Sequence, residues 1–149
     1  MKNNKLIIIS SIIALIFIAS IIAICIYNFN NTYSLNINPK SVSKIVYCTD
    51  TNTAPENRKY IDITDKQDII DILKIYNGTT YKLWDHIPIG PSPNITIYNG
   101  NGCILVSLSS FNNFLFKNDK YYSNYDLSKA KQDDFNQKLL KIVNKYLKG

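Results

Sequence analysis

Residues 94–109 have the sequence NITIYNGNGCILVSLS, which predicts an antiparallel β-hairpin. Apolar and polar residues largely alternate on both sides of a central Asn-Gly repeat, as in strands that bury one face. Asn and Gly tolerate the positive φ angles of tight turns, so residues 99–102 are the expected turn. Because strands joined by so short a turn pair antiparallel, this stretch favours a fold built on an antiparallel sheet.

Shorter stretches with strand-like composition lie on both sides of this hairpin. Upstream, residues 42–49 are rich in β-forming side chains, and residues 60–63 alternate between polar and apolar types. Downstream, residues 114–116 and 120–122 flank the turn-forming sequence Lys-Asn-Asp, which favours a second short hairpin.

Two amphipathic helices are predicted, one before and one after the hairpins. The first covers residues 64–77, where Thr64 and Gln67 have the spacing of a capping box. The second covers residues 128–148. Apolar side chains recur at helical spacing in both segments: Ile69, Ile72, Leu73 and Tyr76 in the first, and Phe135, Leu139, Ile142, Val143 and Tyr146 in the second. The predicted class is α+β, in the order ββαββββα, with both helices packed on one face of the sheet.

The N-terminus contains the longest apolar segment of the chain. The run from Leu6 to Ile26 carries no charge. At about 1.5 Å per helical residue it reaches roughly 30 Å, the thickness of a bilayer's hydrocarbon core. Lys2 and Lys5 precede it, and positive charge there favours a cytoplasmic N-terminus. The lipid bilayer is therefore the expected partner of this segment.

Two processed forms are alternatives to an uncleaved anchor. A cleaved signal peptide has a shorter apolar core and small residues at the cut, and Ala23-Ile24-Cys25 matches such a site poorly. A lipoprotein would be modified at Cys25, but the bulky Ile24 directly before it argues against processing. The predicted organisation is a transmembrane signal-anchor at residues 1–27, a polar tether at residues 28–41 and an extracytoplasmic domain at residues 42–149.

The chain is basic, with 17 Lys and Arg against 11 Asp and Glu, and a formal net charge of +6. Such a surface is compatible with an anionic cell wall or with lipid headgroups, and equally with solubility alone. A single arginine and the absence of a basic cluster argue against nucleic-acid binding. An envelope protein or a cell-wall component is the expected partner of the exterior domain.

Cysteines Cys48 and Cys103 lie in the predicted exterior domain, where oxidation is chemically permitted. Each occupies a strand-like segment, so the two could be cross-strand neighbours joined by a disulfide. Two buried thiols are the alternative, because sequence alone supplies no geometry for the bond.

Candidate catalytic chemistry is sparse. A hydrolase would use His86, the only histidine, as a base, with Cys103 or a serine as nucleophile. Asp85 is badly placed to orient the imidazole of the next residue, and no Gly-x-Ser-x-Gly signature occurs. One histidine and two exterior cysteines cannot supply the four ligands of a structural zinc site. We expect no catalytic residues, no cofactor and no metal.

Acidic residues fall mostly on predicted helix starts or solvent faces, where helix capping and solubility explain them. They include Asp62, Asp65, Asp68, Asp71, Asp133 and Asp134. A glycoside-cleaving site would need two such groups facing each other across a cleft. A glycine-rich phosphate loop is also absent from the sequence.

Aromatic side chains offer a binding chemistry instead, and one of them, Trp84, begins the proline-rich stretch WDHIPIGPSPN at residues 84–94. Four of them could present flat faces to a glycan or a peptide: Tyr81, Trp84, Tyr121 and Tyr122. The alternative is structural. In that interpretation Trp84 closes the edge of the core, and the prolines stiffen a connector that cannot be helical.

The pattern around this loop resembles a recurring bacterial domain. The pattern consists of six features in chain order. These are a helix stop, a proline-containing approach, ITIYNG at residues 95–100, a longer strand, Lys-Tyr-Tyr at residues 120–122 and an amphipathic C-terminal helix. Over residues 42–147 the chain resembles the small extracytoplasmic domains of uncharacterised lipoproteins and membrane-anchored proteins of low-GC Gram-positive bacteria. The resemblance implies an extracytoplasmic α+β domain and implies no mechanism. The chain departs from the lipoprotein members at Ile24-Cys25, where a bulky residue directly precedes the cysteine.

Three hypotheses for function follow. The first is a single-pass, membrane-anchored, extracytoplasmic binding module without catalytic activity. The second is an inhibitor or immunity-type protein at the membrane surface that blocks one toxin or hydrolase. The third is a hydrolase, which would require a cleft with convergent polar groups.

Overall fold

The structure is a computed structural model that describes residues 2–50, 54–84, 93–111, 113–124 and 127–147. Contacts divide the chain into two units, Met1–Thr32 and Tyr33–Gly149. The first unit consists almost entirely of one helix, α1 (Lys2–Asn30). Within it, Ile9–Asn28 is long and apolar enough to cross a membrane. The predicted N-terminal apolar helix is therefore confirmed.

The second unit contains a sheet and two helices. The first strand of the sheet, β1, begins at Thr32, the last residue of the first unit. The described elements are β1 (Thr32–Ser34), β2 (Val42–Cys48), β3 (Tyr60–Ile63), α2 (Lys66–Tyr76), β4 (Thr80–Trp84), β5 (Ile95–Asn99), β6 (Ile104–Leu108), β7 (Phe114–Lys117), β8 (Lys120–Ser123) and α3 (Lys129–Leu147). Short 3-10 turns lie at Pro39–Ser41 and Pro55–Asn57. This arrangement confirms the predicted α+β class.

One eight-stranded sheet joins these strands in the order β1-β4-β8-β7-β6-β5-β2-β3. The predicted hairpin is confirmed as β5 and β6, which pair antiparallel through Ile95↔Leu108 and Ile97↔Val106. The second predicted hairpin is also confirmed, as β7 and β8. Its turn residues Asn118 and Asp119 have φ angles of 50° and 59°, as a two-residue turn with two positive φ angles requires.

Both helices pack on the same face of the sheet, and that face contains the core. Ile45, Ile97 and Val106 are directly opposite one another on β2, β5 and β6, and each is fully buried. They join one apolar cluster with residues of both helices, including Ile72 of α2 and Leu139 of α3. Side chains at the intervening strand positions point away from α2 and α3, and we call that side the far face.

Two strands were not predicted from the sequence, and one of them lies in the expected tether. Residues 28–41 contain the end of α1, all of β1 and two buried core residues, Leu35 and Ile37. Leu35 exchanges backbone hydrogen bonds of 2.9 Å with Gly78 and Thr79. The Asn77 amide binds both the N–H and the C=O of Ile37, at 3.0 and 2.9 Å. These non-local bonds order a segment whose own composition is typical of a linker.

The other unpredicted strand, β4, lies between β1 and β8. The start of α2 also differs by one residue from the prediction. Asp65 is the N-cap, since its carboxylate accepts from the backbone N–H of Asp68 at 2.9 Å. Gln67 therefore does not complete a capping box and instead donates to Asp71. A carboxylate at this position also complements the positive end of the helix dipole.

Candidate functional site

The sheet register separates the four predicted ligand-contacting aromatic residues onto two faces. β4 and β8 pair antiparallel with Leu83 opposite Tyr122 and Trp84 opposite Tyr121. Successive side chains on a strand point to opposite faces. Trp84 and Tyr121 therefore share the far face, whereas Tyr122 and Tyr81 lie on the helix-bearing face.

Tyr81 and Tyr122 belong to the packing of the domain. Tyr81 is fully buried within the core cluster, and burial raises the pKa of its phenol. Tyr122 packs against that cluster and against Tyr33, with ring centroids 5.6 Å apart. A buried ring cannot present a face to a ligand, so the assignment of Tyr81 as a ligand contact is corrected to a core position.

A row of three aromatic rings crosses the far face. Phe116 of β7 lies opposite Tyr121 of β8, which lies opposite Trp84 of β4. The Phe116 and Tyr121 ring centroids are 4.8 Å apart, with their planes tilted by 43°. All three side chains are half-buried, and none belongs to the core cluster. We call Phe116, Tyr121 and Trp84 the far-face strip.

Polar residues continue the same row beyond the strip. Ser107 lies opposite Phe116, and Thr96 lies opposite Ser107, with their hydroxyl oxygens 3.4 Å apart. Further along the far face, Lys44 of β2 forms a 2.7 Å ion pair with Asp62 of β3. The hydrogen bond to Asp62 raises the pKa of the Lys44 ammonium. Ser107 is buried and Thr96 is half-buried, so Thr96 is the hydroxyl residue of this row that remains partly accessible beside the aromatic rings.

Sequence reasoning missed Phe116 as a member of this surface. The sequence shows that Phe116 alternates with its neighbours along the strand, but the residues beside it on adjacent strands follow from the register alone.

The loop that begins after Trp84 is only partly described. Residues 85–92, including the candidate base His86, lie outside the described residues. On the described side, the Asn94 side chain binds the N–H and the hydroxyl of Ser110, at 2.7 and 3.0 Å.

The possible disulfide does not form in this structure, since Cys48 and Cys103 are both free thiols, and of the alternative pair of buried thiols only Cys48 is buried. Cys48 is buried beside the start of β5, where its N–H donates to the carbonyl of Asn94 at 2.8 Å. Cys103 is exposed in the turn beyond the end of β5, where its N–H donates to the Asn99 side chain. The five-residue length of β5, roughly 16 Å, separates the two positions. A disulfide needs Cα atoms within about 7 Å.

A buried carboxylate between the helices, with one lysine and one tyrosine bound to it, was also missed. Asp68, expected on a solvent face or a helix start, is only 6% exposed. Its oxygens accept from the Lys145 ammonium at 2.5 Å and from the Tyr146 hydroxyl at 2.8 Å. The Lys145 hydrogen bond holds the pKa of Asp68 below its usual value, whereas burial and then the Asp68 contact raise the pKa of Tyr146 to about 12. This cluster fastens α3 to α2.

Metal-binding chemistry has no counterpart in the described part of the chain. No group of three or more His, Cys, Asp or Glu side chains there could hold an ion.

No family model, curated protein or solved structure matches this chain. The resemblance to extracytoplasmic domains of low-GC Gram-positive bacteria therefore stays a prediction.

Proposed function

We propose that this chain is a single-pass, membrane-anchored binding module whose sheet domain lies outside the cytoplasmic membrane. The length and apolar composition of α1 support the anchor. Lys2 and Lys5 support a cytoplasmic N-terminus, because positive charge before a first span is retained inside. In this proposal the module binds an envelope component and performs no reaction.

The ligand that fits the far face best is a cell-envelope glycan. The observation that carries this choice is the far-face strip, in which three rings lie side by side across adjacent strands. Aromatic rings stack on the C–H faces of sugars, and half-buried Trp and Tyr lose little conformational entropy on binding. The half-buried Thr96 hydroxyl, further along the same row, can partner a sugar hydroxyl group, whereas Ser107, between Thr96 and the strip, is buried.

Trp84 makes the proposal directly testable, because it is the only tryptophan of the chain. Full-length protein in a non-ionic detergent is titrated with soluble glycan fragments of peptidoglycan while tryptophan emission is recorded. We expect a saturable change in Trp84 emission. Tyr121→Ala should weaken binding about tenfold, the effect of removing a central interface aromatic, while Tyr121→Phe should retain it.

Tyr60→Ala is the matched control, since Tyr60 is an exposed far-face tyrosine on β3, at the other edge of the sheet. It should leave the affinity unchanged. Melting curves of each variant separate lost binding from lost folding. An emission that does not respond to glycan, or equal losses in Tyr121→Ala and Tyr60→Ala, would contradict the proposal.

A further inference from the structure

A cavity lies on the other side of the sheet from the far-face strip. It has a volume of about 300 Å³ and is bordered by the segment after β1, the start of β6 and the turn between β7 and β8. This volume is at the lower end of the range for pockets that hold small organic molecules. Lys117, at the end of β7, is the cationic residue that lines it, and we call it the Lys117 pocket.

The Lys117 ammonium is half-buried and has only neutral partners. It donates to the Tyr33 hydroxyl at 2.9 Å and lies 4.3 Å from the centroid of the same ring. Within the described residues it forms no ion pair. Lys120 lies directly opposite Lys117 in the β7–β8 register, and like charges placed so destabilise a sheet pair. Asp119 of the same turn is exposed and makes no ion pair with Lys117, so within the described part of the chain this ammonium has no acidic partner beside the cavity.

The polar groups around the cavity are rich in donors. Asn36, Asn38 and Asn118 line it, and the side-chain amide of each carries two N–H donors. Among its described lining residues there is no Asp or Glu. Amide oxygens can also bind cations, but the neighbouring ammonium of Lys117 opposes a cation here. The donor set and the charge together select an anion.

Apolar side chains complete the wall and indicate that the anion carries carbon. Ile37 and Leu105 line the cavity, and Ile104 lies at its border with 59% of its surface exposed. We propose that the Lys117 pocket binds a phosphate ester on a short carbon skeleton, of the glycerol phosphate class. A phosphate monoester offers three terminal acceptor oxygens to donors from several directions, whereas a carboxylate offers two. Glycerol phosphate occurs as a soluble monoester and, as a diester with two terminal oxygens, in lipid headgroups.

This site is independent of the glycan proposal. Phe116 and Lys117 are consecutive residues, so their side chains point to opposite faces of the sheet. Phosphate binding is measured by calorimetry and glycan binding by Trp84 emission. The failure of one proposal therefore leaves the other in place.

The test is isothermal titration of the full-length protein in a non-ionic detergent with sn-glycerol 3-phosphate, inorganic phosphate and glycerol. We expect glycerol phosphate to bind most tightly, inorganic phosphate more weakly and glycerol not at all. Lys117→Gln should lower the affinity for glycerol phosphate by about tenfold, as expected for the loss of a charged hydrogen bond. Lys141→Gln, which removes the same charge from an exposed position on α3, should leave the affinity unchanged.

Asn118→Gly is a second variant that removes a lining amide and keeps the turn, because glycine adopts the φ of 50° found at this position. It should also weaken binding. Equal affinity in wild type, Lys117→Gln and Asn118→Gly, or binding of glycerol as tight as that of glycerol phosphate, would overturn the proposal.

Nanodiscs distinguish the two sources of the ester. The titration is repeated in discs of phosphatidylcholine alone and in discs that also contain phosphatidylglycerol. Loss of the glycerol phosphate signal only in the second kind would assign the pocket to a lipid headgroup. An unchanged signal in both would assign it to a soluble ester.

Discussion

At the scale of single residues, Asp68 shows how one buried carboxylate joins two helices. It lies in the first turn of α2, and Lys145 lies in the last turn of α3. The negative group complements the positive end of one helix dipole, and the ammonium complements the negative end of the other. The Tyr146 hydroxyl provides the second donor to the same carboxylate.

Asp68→Asn should lower the free energy of unfolding by about 2 kcal/mol at neutral pH, because a charge-assisted hydrogen bond is lost at a buried site. The pKa of Asp68 is depressed in the folded state, so its contribution is fully present above the unfolded value of 3.8, begins to decline below it and is lost as the pH falls through the lower folded pKa. Melting curves of the full-length protein at pH 7 and pH 3 measure both effects.

Asp71→Asn is the control for this experiment. Asp71 makes an exposed ion pair with Lys74 on the surface of α2, and such pairs contribute little to stability. We expect almost no change at pH 7. If the wild type and Asp68→Asn lose the same stability between pH 7 and pH 3, Asp68 is not the group responsible for the acid sensitivity.

At the scale of elements, α3 forms one wall of the core through a single face. Leu139, Ile142 and Val143 are buried, and the Phe135 ring stacks on Tyr76 of α2 with centroids 5.8 Å apart. Their spacing matches the helical period, which is why the sequence predicted this face. Lys141 lies next to the face on the exposed side.

Ile142→Asp should destabilise the domain by about 3 kcal/mol or more, because it places an unpaired charge among apolar side chains. Lys141→Asp should change the stability little. Melting temperatures of the two full-length variants provide the comparison. Similar losses in both would mean that the packed face of α3 has been assigned incorrectly.

At the scale of the whole molecule, the two units require different solvents. The domain encloses its own core, whereas α1 exposes large apolar side chains between Ile9 and Tyr27, including Leu15 at 66% and Phe17 at 67% exposure. Exposed apolar surface of this extent is costly in water and favourable in lipid. The helix therefore supports the proposed membrane anchor.

The proposed orientation is tested with the exposed thiol of Cys103. In a Cys25→Ser background, a membrane-impermeant maleimide should label Cys103 in intact cells that produce the chain, because the proposed domain faces outward. Buried Cys48 should react only after denaturation.

Cys25→Ser/Cys103→Ser is the control for this labelling and should remain unlabelled in intact cells. Labelling of Cys103 that appears only after cell lysis would place the domain in the cytoplasm and reject the proposed topology.

The sequence by itself determined the features that depend on neighbours along the chain. The apolar run of α1, the stripes of α2 and α3 and the two Asn-containing hairpin turns were all predicted, and all are present. Helical periodicity, continuous hydrophobicity and positive-φ turn residues act over a few residues, so they are legible without a tertiary structure.

Only the tertiary structure decided which distant residues share a face, an edge or a cavity. The three-residue strand β1 is too short for a periodic pattern and exists through pairing with β4. The sequence places Tyr81 and Trp84 an odd number of residues apart, so they lie on opposite faces of their strand. Which of the two faces the helices was fixed by the register with β8. The cysteine positions and the Lys117 pocket likewise depend on strands far apart in sequence. Register and packing arise from burial and strand pairing between distant residues. A one-residue shift in register would move every side chain of a strand to the opposite face of the sheet, so local sequence could not specify which face each side chain occupies.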